Sequence, residues 1–166
     1  MPIMSEESPR SMLSEMRKKL KGDNAIQDVM SEIEICDIYG FLDSADAKTR
    51  KNAALLIGEL KNASREMERN GEDTTYDGDF IDLSEASEQL ISHYEKEETL
   101  FVRPSFLEAL SEFSISDNEN MIEALKNEEK KLSTSEFKED EAKHKSKELH
   151  ELKLILSKNA DKSRHE

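Results

Sequence analysis

The strongest constraint on this sequence is a helical pattern between Asp46 and Leu60 that returns, in degenerate form, 53 residues later. Asp46 is suited to cap the start of a helix, and small or aliphatic residues then recur at three- and four-residue steps along one face. The offset sets residues in equivalent pairs: Arg50 with Arg103, Ala54 with Leu107, Ile57 with Leu110, Gly58 with Ser111, and Leu60 with Phe113. The sequence therefore predicts an internal repeat built from helices.

Composition favours helix along almost all of the chain. Of the 166 residues, 35% are hydrophobic and 37% are charged, with only five glycines and three prolines. This balance suits amphipathic helices better than a sheet that is buried on both faces, and period-two alternation is almost absent. We expect an all-α protein with one continuous core.

The apolar periodicity divides the chain into paired helices. We expect one helical-repeat domain over residues 11–158, with hairpins at about 35–61, 83–113 and 117–157, a disordered segment at 1–10 and a frayed end at 159–166. Capping-box patterns at Ser116 and Ser133 mark the helices of the third hairpin, and its last helix is expected to include Phe137. Matching Leu107 to Leu149 places this hairpin 42 residues after the second.

The pattern of the first hairpin points to a known family of repeats. The run Asp46-x-x-x-Arg50-x-x-Ala53-Ala54-x-x-Ile57-Gly58-x-Leu60 resembles the second helix of a HEAT or armadillo repeat. The resemblance covers residues 35–61 and extends, without the aspartate, to 83–113. It implies a short α-solenoid of stacked antiparallel hairpins, in which Arg50 and Arg103 pair with acidic groups of an adjacent turn. It also implies a binding scaffold. The sequence has no glycine-rich phosphate loop, no Gly-x-Ser-x-Gly, no His-Glu-x-x-His and no Cys-x-x-Cys, so we expect no catalytic residue and no cofactor.

Charge is distributed unevenly along the chain. The formal net charge is −14, and residues 70–100 hold ten acidic residues and one basic residue. Such a segment attracts cations and basic partners and repels nucleic-acid phosphates. We therefore expect a basic protein partner, and the candidate partner-binding residues are Glu85, Glu88, Glu108 and Glu112.

The single cysteine and the apolar runs bear on location. Cys36 allows no intramolecular disulfide, and its isoleucine neighbours lead us to expect a buried thiol without a chemical role. There is no signal-peptide pattern and no run of about 18 apolar residues that could span a bilayer. We expect a cytoplasmic protein that does not enter the membrane.

Two patterns of acidic residues and histidine could in principle hold a metal ion, and each competes with a solvated surface. The loop beginning at Asp73 places Gly78 at the sixth position of a calcium-loop pattern, but Glu85 comes one place late. Asp140, His144 and Glu148 stand at four-residue steps, although no matching Glu-x-x-His occurs on another helix. In both places a charged, solvated surface is favoured, so no metal ligand is assigned.

Three functional hypotheses remain open. The leading one is a non-enzymatic HEAT-like scaffold that binds a basic protein segment. The alternative is the N-terminal module of a larger enzyme, for example one that modifies nucleic acid, such as a methyltransferase, with its catalytic domain beyond residue 166. The third is a metal-binding helical bundle. The apolar stripe of the last helix also leaves a homodimer as one way of covering that surface.

Overall fold

The computed structural model describes residues 8–20, 29, 33–69, 75–76, 79–80 and 83–164. The chain forms two compact units, Met1–Ala86 and Ser87–Glu166. Apart from one pair of two-residue strands, the regular structure of the described residues is helical, so the expected all-α class is confirmed. Within the described part of the chain, no helix is long and apolar enough to cross a membrane.

The first unit contains three described helices and the short strand pair. The helices are α1 (Pro9–Lys19), α2 (Ile35–Phe41) and α3 (Ala47–Arg69). Strands β1 (Thr75–Tyr76) and β2 (Asp79–Phe80) pair antiparallel, with Thr75 opposite Phe80. They lie in the segment that the sequence assigned to a loop. α3 is eight residues longer than the predicted hairpin end at residue 61, because its polar last turns contain no helix breaker.

Helix α3 is the central helix of the first unit. It packs against both α1 and α2. Its small and aliphatic residues are buried around more than half of the helix, which is possible only when neighbours cover several sides. The fully buried positions are Ala53, Ala54, Leu56 and Ile57.

Helix α1 begins at Pro9, two residues before the expected start. The Ser8 side chain accepts a hydrogen bond from the Ser11 amide at 3.2 Å, which caps the helix. Proline is well tolerated in this position, because the first amides of a helix have no intrahelical acceptor. Leu13 and Met16 then face the core.

The described residues of the second unit form four helices. They are α4 (Ala86–Lys96), which starts at the boundary between the units, α5 (Arg103–Leu110), α6 (Glu119–Thr134) and α7 (Ala142–Arg164). α7 packs against both α5 and α6. The expected hairpin at 83–113 would pair α4 with α5, whereas the most extensive contacts of α5 are with α7.

Short helix α5 is the central helix of the second unit. Six of its eight residues are buried: Pro104, Ser105, Phe106, Leu107, Ala109 and Leu110. It is therefore surrounded on most sides, as α3 is in the first unit.

The 53-residue offset is reproduced in the burial pattern and in a hydrogen bond. Ala54 and Leu107 are both 0% exposed, and Ile57 and Leu110 are at most 1% exposed. The Arg50 guanidinium donates to the Ser44 carbonyl at 2.8 Å. Arg103, in the equivalent position, donates to the Glu97 carbonyl, and Ser44 and Glu97 are themselves 53 residues apart. The two central helices thus share a local geometry at their N-termini.

Three predicted details of the second unit are wrong. The cap of α6 is Asn118, which accepts from the Met121 amide at 3.1 Å, rather than Ser116. Ser133 lies in the last turn of α6 and starts no helix. Phe137 lies before α7, where the Lys145 ammonium stands 5.8 Å from its ring centroid.

Leu149 does not occupy the buried position that its match with Leu107 implies, although Leu152 and Ile155 of the expected apolar stripe are buried. Leu149 is only partly buried, whereas Glu148, Leu152 and Ile155 are at most 1% exposed. A stripe defined by apolar residues alone omits Glu148, which lies on the buried side one turn before Leu152.

Candidate functional site

The best-defined polar site in the second unit is centred on Arg103, at the start of α5. Its Nε donates to Oε2 of Glu148 on α7 at 2.9 Å, and its Nη2 donates to Oε1 of Glu128 on α6 at 2.9 Å. Its Nη1 donates to the carbonyls of Tyr94, at 3.3 Å, and Glu97. One guanidinium therefore connects α4, the α4–α5 linker, α6 and α7.

Tyr94 completes this network from α4. Its hydroxyl donates to Oε2 of Glu148 at 2.5 Å, and its ring centroid lies 4.5 Å from Cζ of Arg103. Guanidinium groups are attracted to aromatic faces at such distances. Arg103 is thus held by stacking as well as by charge.

Burial and charge shift the pKa values of this network. Burial raises the pKa of the Tyr94 hydroxyl well above its usual value, and the Glu148 charge raises it further. Burial by itself would lower the pKa of Arg103, but Glu148 together with Tyr94 and Glu128 outweighs it, and the net pKa of Arg103 is raised. The network therefore holds a neutral phenol and a permanently charged guanidinium.

An open cleft of about 680 Å³ lies beside the network. Its apolar walls include Leu100 and Leu132, and Ser135 stands at the end of α6. Five glutamates line it, two on or just beyond the end of α4 and three closer to Arg103: Glu95, Glu98, Glu97, Glu128 and Glu148.

Four cations also line the cleft, and three of them are held by carboxylates. Arg103 is bound as described above, Lys131 pairs with Glu128 at 3.3 Å, and Lys145 pairs with Glu141 at 2.9 Å. Glu141, the partner of Lys145, does not line the cleft, so Lys145 is neutralised from outside. The other three cations, Lys96, Arg103 and Lys131, then balance the five carboxylates of the lining. The cleft is therefore a site of negative potential.

The predicted partner-binding glutamates do not form one uniform surface. Glu85 and Glu88 are exposed at the start of α4. Glu108 is partly buried and pairs with Lys147 at 3.4 Å, and Glu112 is also partly buried. Glu151 of α7 lies close enough to Glu108 of α5 for their charges to interact. Burial raises the pKa of Glu151, and the negative charge of Glu108 raises it further.

Asp46 serves as the helix cap that its position predicts. Its Oδ2 accepts from the Thr49 amide at 3.1 Å and from the Thr49 hydroxyl at 2.7 Å, while Arg10 of α1 donates to both of its oxygens. Hydrogen bonds from Arg10 and then Thr49 lower the pKa of Asp46 to about 2.

Of the other positions assigned by the repeat pattern, the small and apolar ones are buried, and the two arginines contact different kinds of group. Ala54, Gly58 and Leu107 are buried. Arg50 donates to the carbonyls of Ser44 and Ala45 at the start of its own helix. Arg103 pairs with carboxylates 25 and 45 residues away rather than with those of an adjacent turn.

Neither metal hypothesis gains support from the described residues. Within them, no group of three or more His, Cys, Asp or Glu side chains is arranged to hold a metal ion. Glu148 is committed to Tyr94 and Arg103, while Asp140 is exposed. Asp73, Asp77 and Gly78 of the calcium-loop pattern lie outside the described residues.

Cys36 is exposed on α2, so the expected buried thiol is wrong. α2 places Ile38 toward the core, and Cys36, two residues earlier, falls on the opposite side of the helix.

Sequence reasoning missed most of the Arg103 network. It assigned Arg103 a structural role but did not connect it to Tyr94, Glu128 or Glu148. One available signal was the spacing of Glu148, Leu152 and Ile155, which places the carboxylate on the buried stripe of α7.

Comparison with known proteins gives no family for this chain. No family model, no curated protein and no solved structure matches it.

Proposed function

We propose that this chain is a non-catalytic, HEAT/armadillo-like helical-repeat scaffold that binds a basic segment of a partner protein. The observation that carries the proposal is the set of exposed carboxylates on and beside α4. Glu85, Glu88, Glu95 and Glu98 are all exposed. No ion pair involves any of them among the described residues.

Helix α4 is amphipathic, with apolar residues on one side and carboxylates on the other. Ala86, Leu90 and Tyr94 are fully buried, while Glu88 and Glu95, seven residues apart, are exposed on the other side. Seven residues are close to two helical turns, so these two carboxylates share one face. A row of solvated carboxylates favours encounter with basic partners and sets specificity more than it sets affinity.

The repeat part of the proposal is supported by the 53-residue correspondence between the two central helices. In each unit, an arginine in the first turns of the central helix donates to the carbonyl six residues before it. Structural repeats share local geometry of this kind, because each repeat packs its helices against its neighbours in the same way. An α-solenoid would present its helices as an extended surface for a partner segment.

The proposal is tested by titrating the purified chain with a fluorescently labelled Lys/Arg-rich peptide in low salt. The test variant is Glu85→Lys with Glu88→Lys, and the matched control is Glu136→Lys with Glu139→Lys. Both pairs are exposed, and both change the net charge equally. The two variants are then compared at about 0.15 M salt, where the Debye length is about 8 Å and only short-range pairs survive screening. We expect the test variant to weaken binding by about tenfold and the control by far less.

Two outcomes would contradict the proposal. Equal weakening by both variants would show attraction to net charge alone. Absence of peptide binding to the unmodified chain in low salt would exclude a basic partner segment.

A further inference from the structure

The floor of the cleft in the second unit contains more buried negative charge than positive charge. The side chains of Glu148 and Glu128 are 1% and 13% exposed, and Glu97 is 6% exposed. Of the cations that line the cleft, Arg103 and Lys145 are mostly buried, at 15% and 20% exposed, whereas the Lys131 side chain is 74% exposed. Lys145 pairs with Glu141, which does not line the cleft, so Arg103 is left to balance the buried glutamates of the floor. A buried charge is costly unless an opposite charge and hydrogen bonds compensate it.

One carboxylate oxygen at this floor has no donor in the part of the chain that the structure describes. Oε2 of Glu148 accepts from both Tyr94 and Arg103. Oε1 of the same carboxylate accepts no hydrogen bond from the described residues, although Glu148 lines the cleft. A carboxylate oxygen can accept two hydrogen bonds, so this buried side chain offers an unused acceptor to whatever enters.

The residues that line the walls of the cleft indicate which kind of cationic group would fit. Leu100 and Leu132 are half-buried and apolar, and the exposed carboxylates of Glu95 and Glu98 lie at the rim. A ligand with an aliphatic stem and a cationic end would place its stem against the leucines and its charge near the carboxylates. Lysine and arginine side chains have this form.

We propose that this cleft receives a lysine or arginine side chain of the partner protein, with Glu148 as the floor acceptor and Glu95 and Glu98 as the rim. This inference rests on the proposed function, and it names the feature of the basic partner that the chain recognises. Three of the four lining cations, Arg103, Lys131 and Lys145, are already paired with carboxylates, and the fourth, Lys96, is exposed to solvent.

The test uses side-chain analogues as probes, with the full chain observed by amide chemical shifts in NMR. Butylammonium and butylguanidinium are compared with butanol and butyrate, which share the stem but lack the positive charge. We expect saturable shifts of the Leu100, Leu132 and Ser135 amides with the two cations only. Equal shifts with butanol, or no saturable shift with either cation, would overturn the inference.

Variants locate the binding within the cleft. Glu95→Gln with Glu98→Gln keeps the fold, because both side chains are exposed, and should weaken cation binding about threefold. Glu148→Gln should weaken it at least tenfold if circular dichroism shows an intact helical signal. Glu136→Gln with Glu139→Gln is the matched control and should leave it unchanged.

The inference about the cleft and the proposed function can be contradicted separately. If the Lys/Arg-rich peptide binds while none of the cleft amides shifts, the cleft inference is wrong and the basic-partner proposal stands. If the cations shift the cleft amides but no basic peptide binds, the partner proposal is wrong and the cleft is a cation site of another kind.

Discussion

The Arg103 guanidinium donates from Nε to Oε2 of Glu148 at 2.9 Å across 45 residues of sequence. This bond joins the N-terminus of central helix α5 to the buried stripe of α7. The carboxylate also accepts from Tyr94, so one oxygen fixes three helices of the second unit. The network determines both the packing of this unit and the electrostatics of the cleft beside it.

Replacing Glu148 by alanine should strongly destabilise the second unit. The substitution leaves Arg103 with Glu128 as its one remaining carboxylate partner and leaves the Tyr94 hydroxyl without its acceptor. We expect a loss of about 3 kcal/mol in the free energy of unfolding, measured by urea denaturation. Glu139→Ala, at an exposed position, is the control. A loss equal to that of the control would mean that the network contributes nothing to stability.

Tyr94 should titrate only at unusually alkaline pH. Its pKa is raised in the folded chain, so its contribution to stability is fully present below pH of about 10, the unfolded value, and decreases as pH rises above it. The chain has three tyrosines, and absorbance near the phenolate band should show one that ionises only with unfolding. Tyr94→Phe should remove this late transition and cost about 2 kcal/mol through the lost bond to Glu148. A late transition that persists in Tyr94→Phe would contradict the assignment.

Asp46 should make the first unit sensitive to acid. Its pKa falls from 3.8 to about 2 on folding, so its stabilisation is present above about pH 4 and is lost as pH decreases through 2. Asp46→Asn should therefore lower the urea midpoint at neutral pH and flatten its change between pH 4 and 2. Asp37→Asn, an exposed carboxylate on α2, serves as the comparison with the same change of charge. An unchanged acid profile in Asp46→Asn would show that its ion pair with Arg10 does not form.

Asn159 should hold the α5–α6 connection against α7. Its Oδ1 accepts from the Ile115 amide at 3.1 Å, and its Nδ2 donates to the Ile155 carbonyl at 2.8 Å, both in buried surroundings. Asn159→Ala leaves that amide without an acceptor, so we expect a loss of about 2 kcal/mol. Hydrogen exchange should accelerate at the Ile115 amide before it does so at the amides of α6. Ser157→Ala, at an exposed position of α7, should change neither quantity.

The contrast between α3 and α7 shows what sequence reasoning could reach. In α3, Ala53, Ala54 and Ile57 are small or aliphatic, and their spacing alone identified the buried face. In α7 the buried stripe begins with Glu148, and a hydrophobicity pattern assigns a glutamate to solvent. Arg103 could be named from its position in the repeat, but its partners lie on other helices at separations of 25 and 45 residues.

The sequence by itself determined the all-helical class, the cap at Asp46 and the two central helices, because these depend on local spacing and on the hydrogen bonds of neighbouring residues. The tertiary structure decided that α5 packs against α7, that Cys36 is exposed and that Glu148 is buried beside Arg103. Those outcomes depend on which helices cover one another, and a buried charge is tolerated only where folding brings its partner to it.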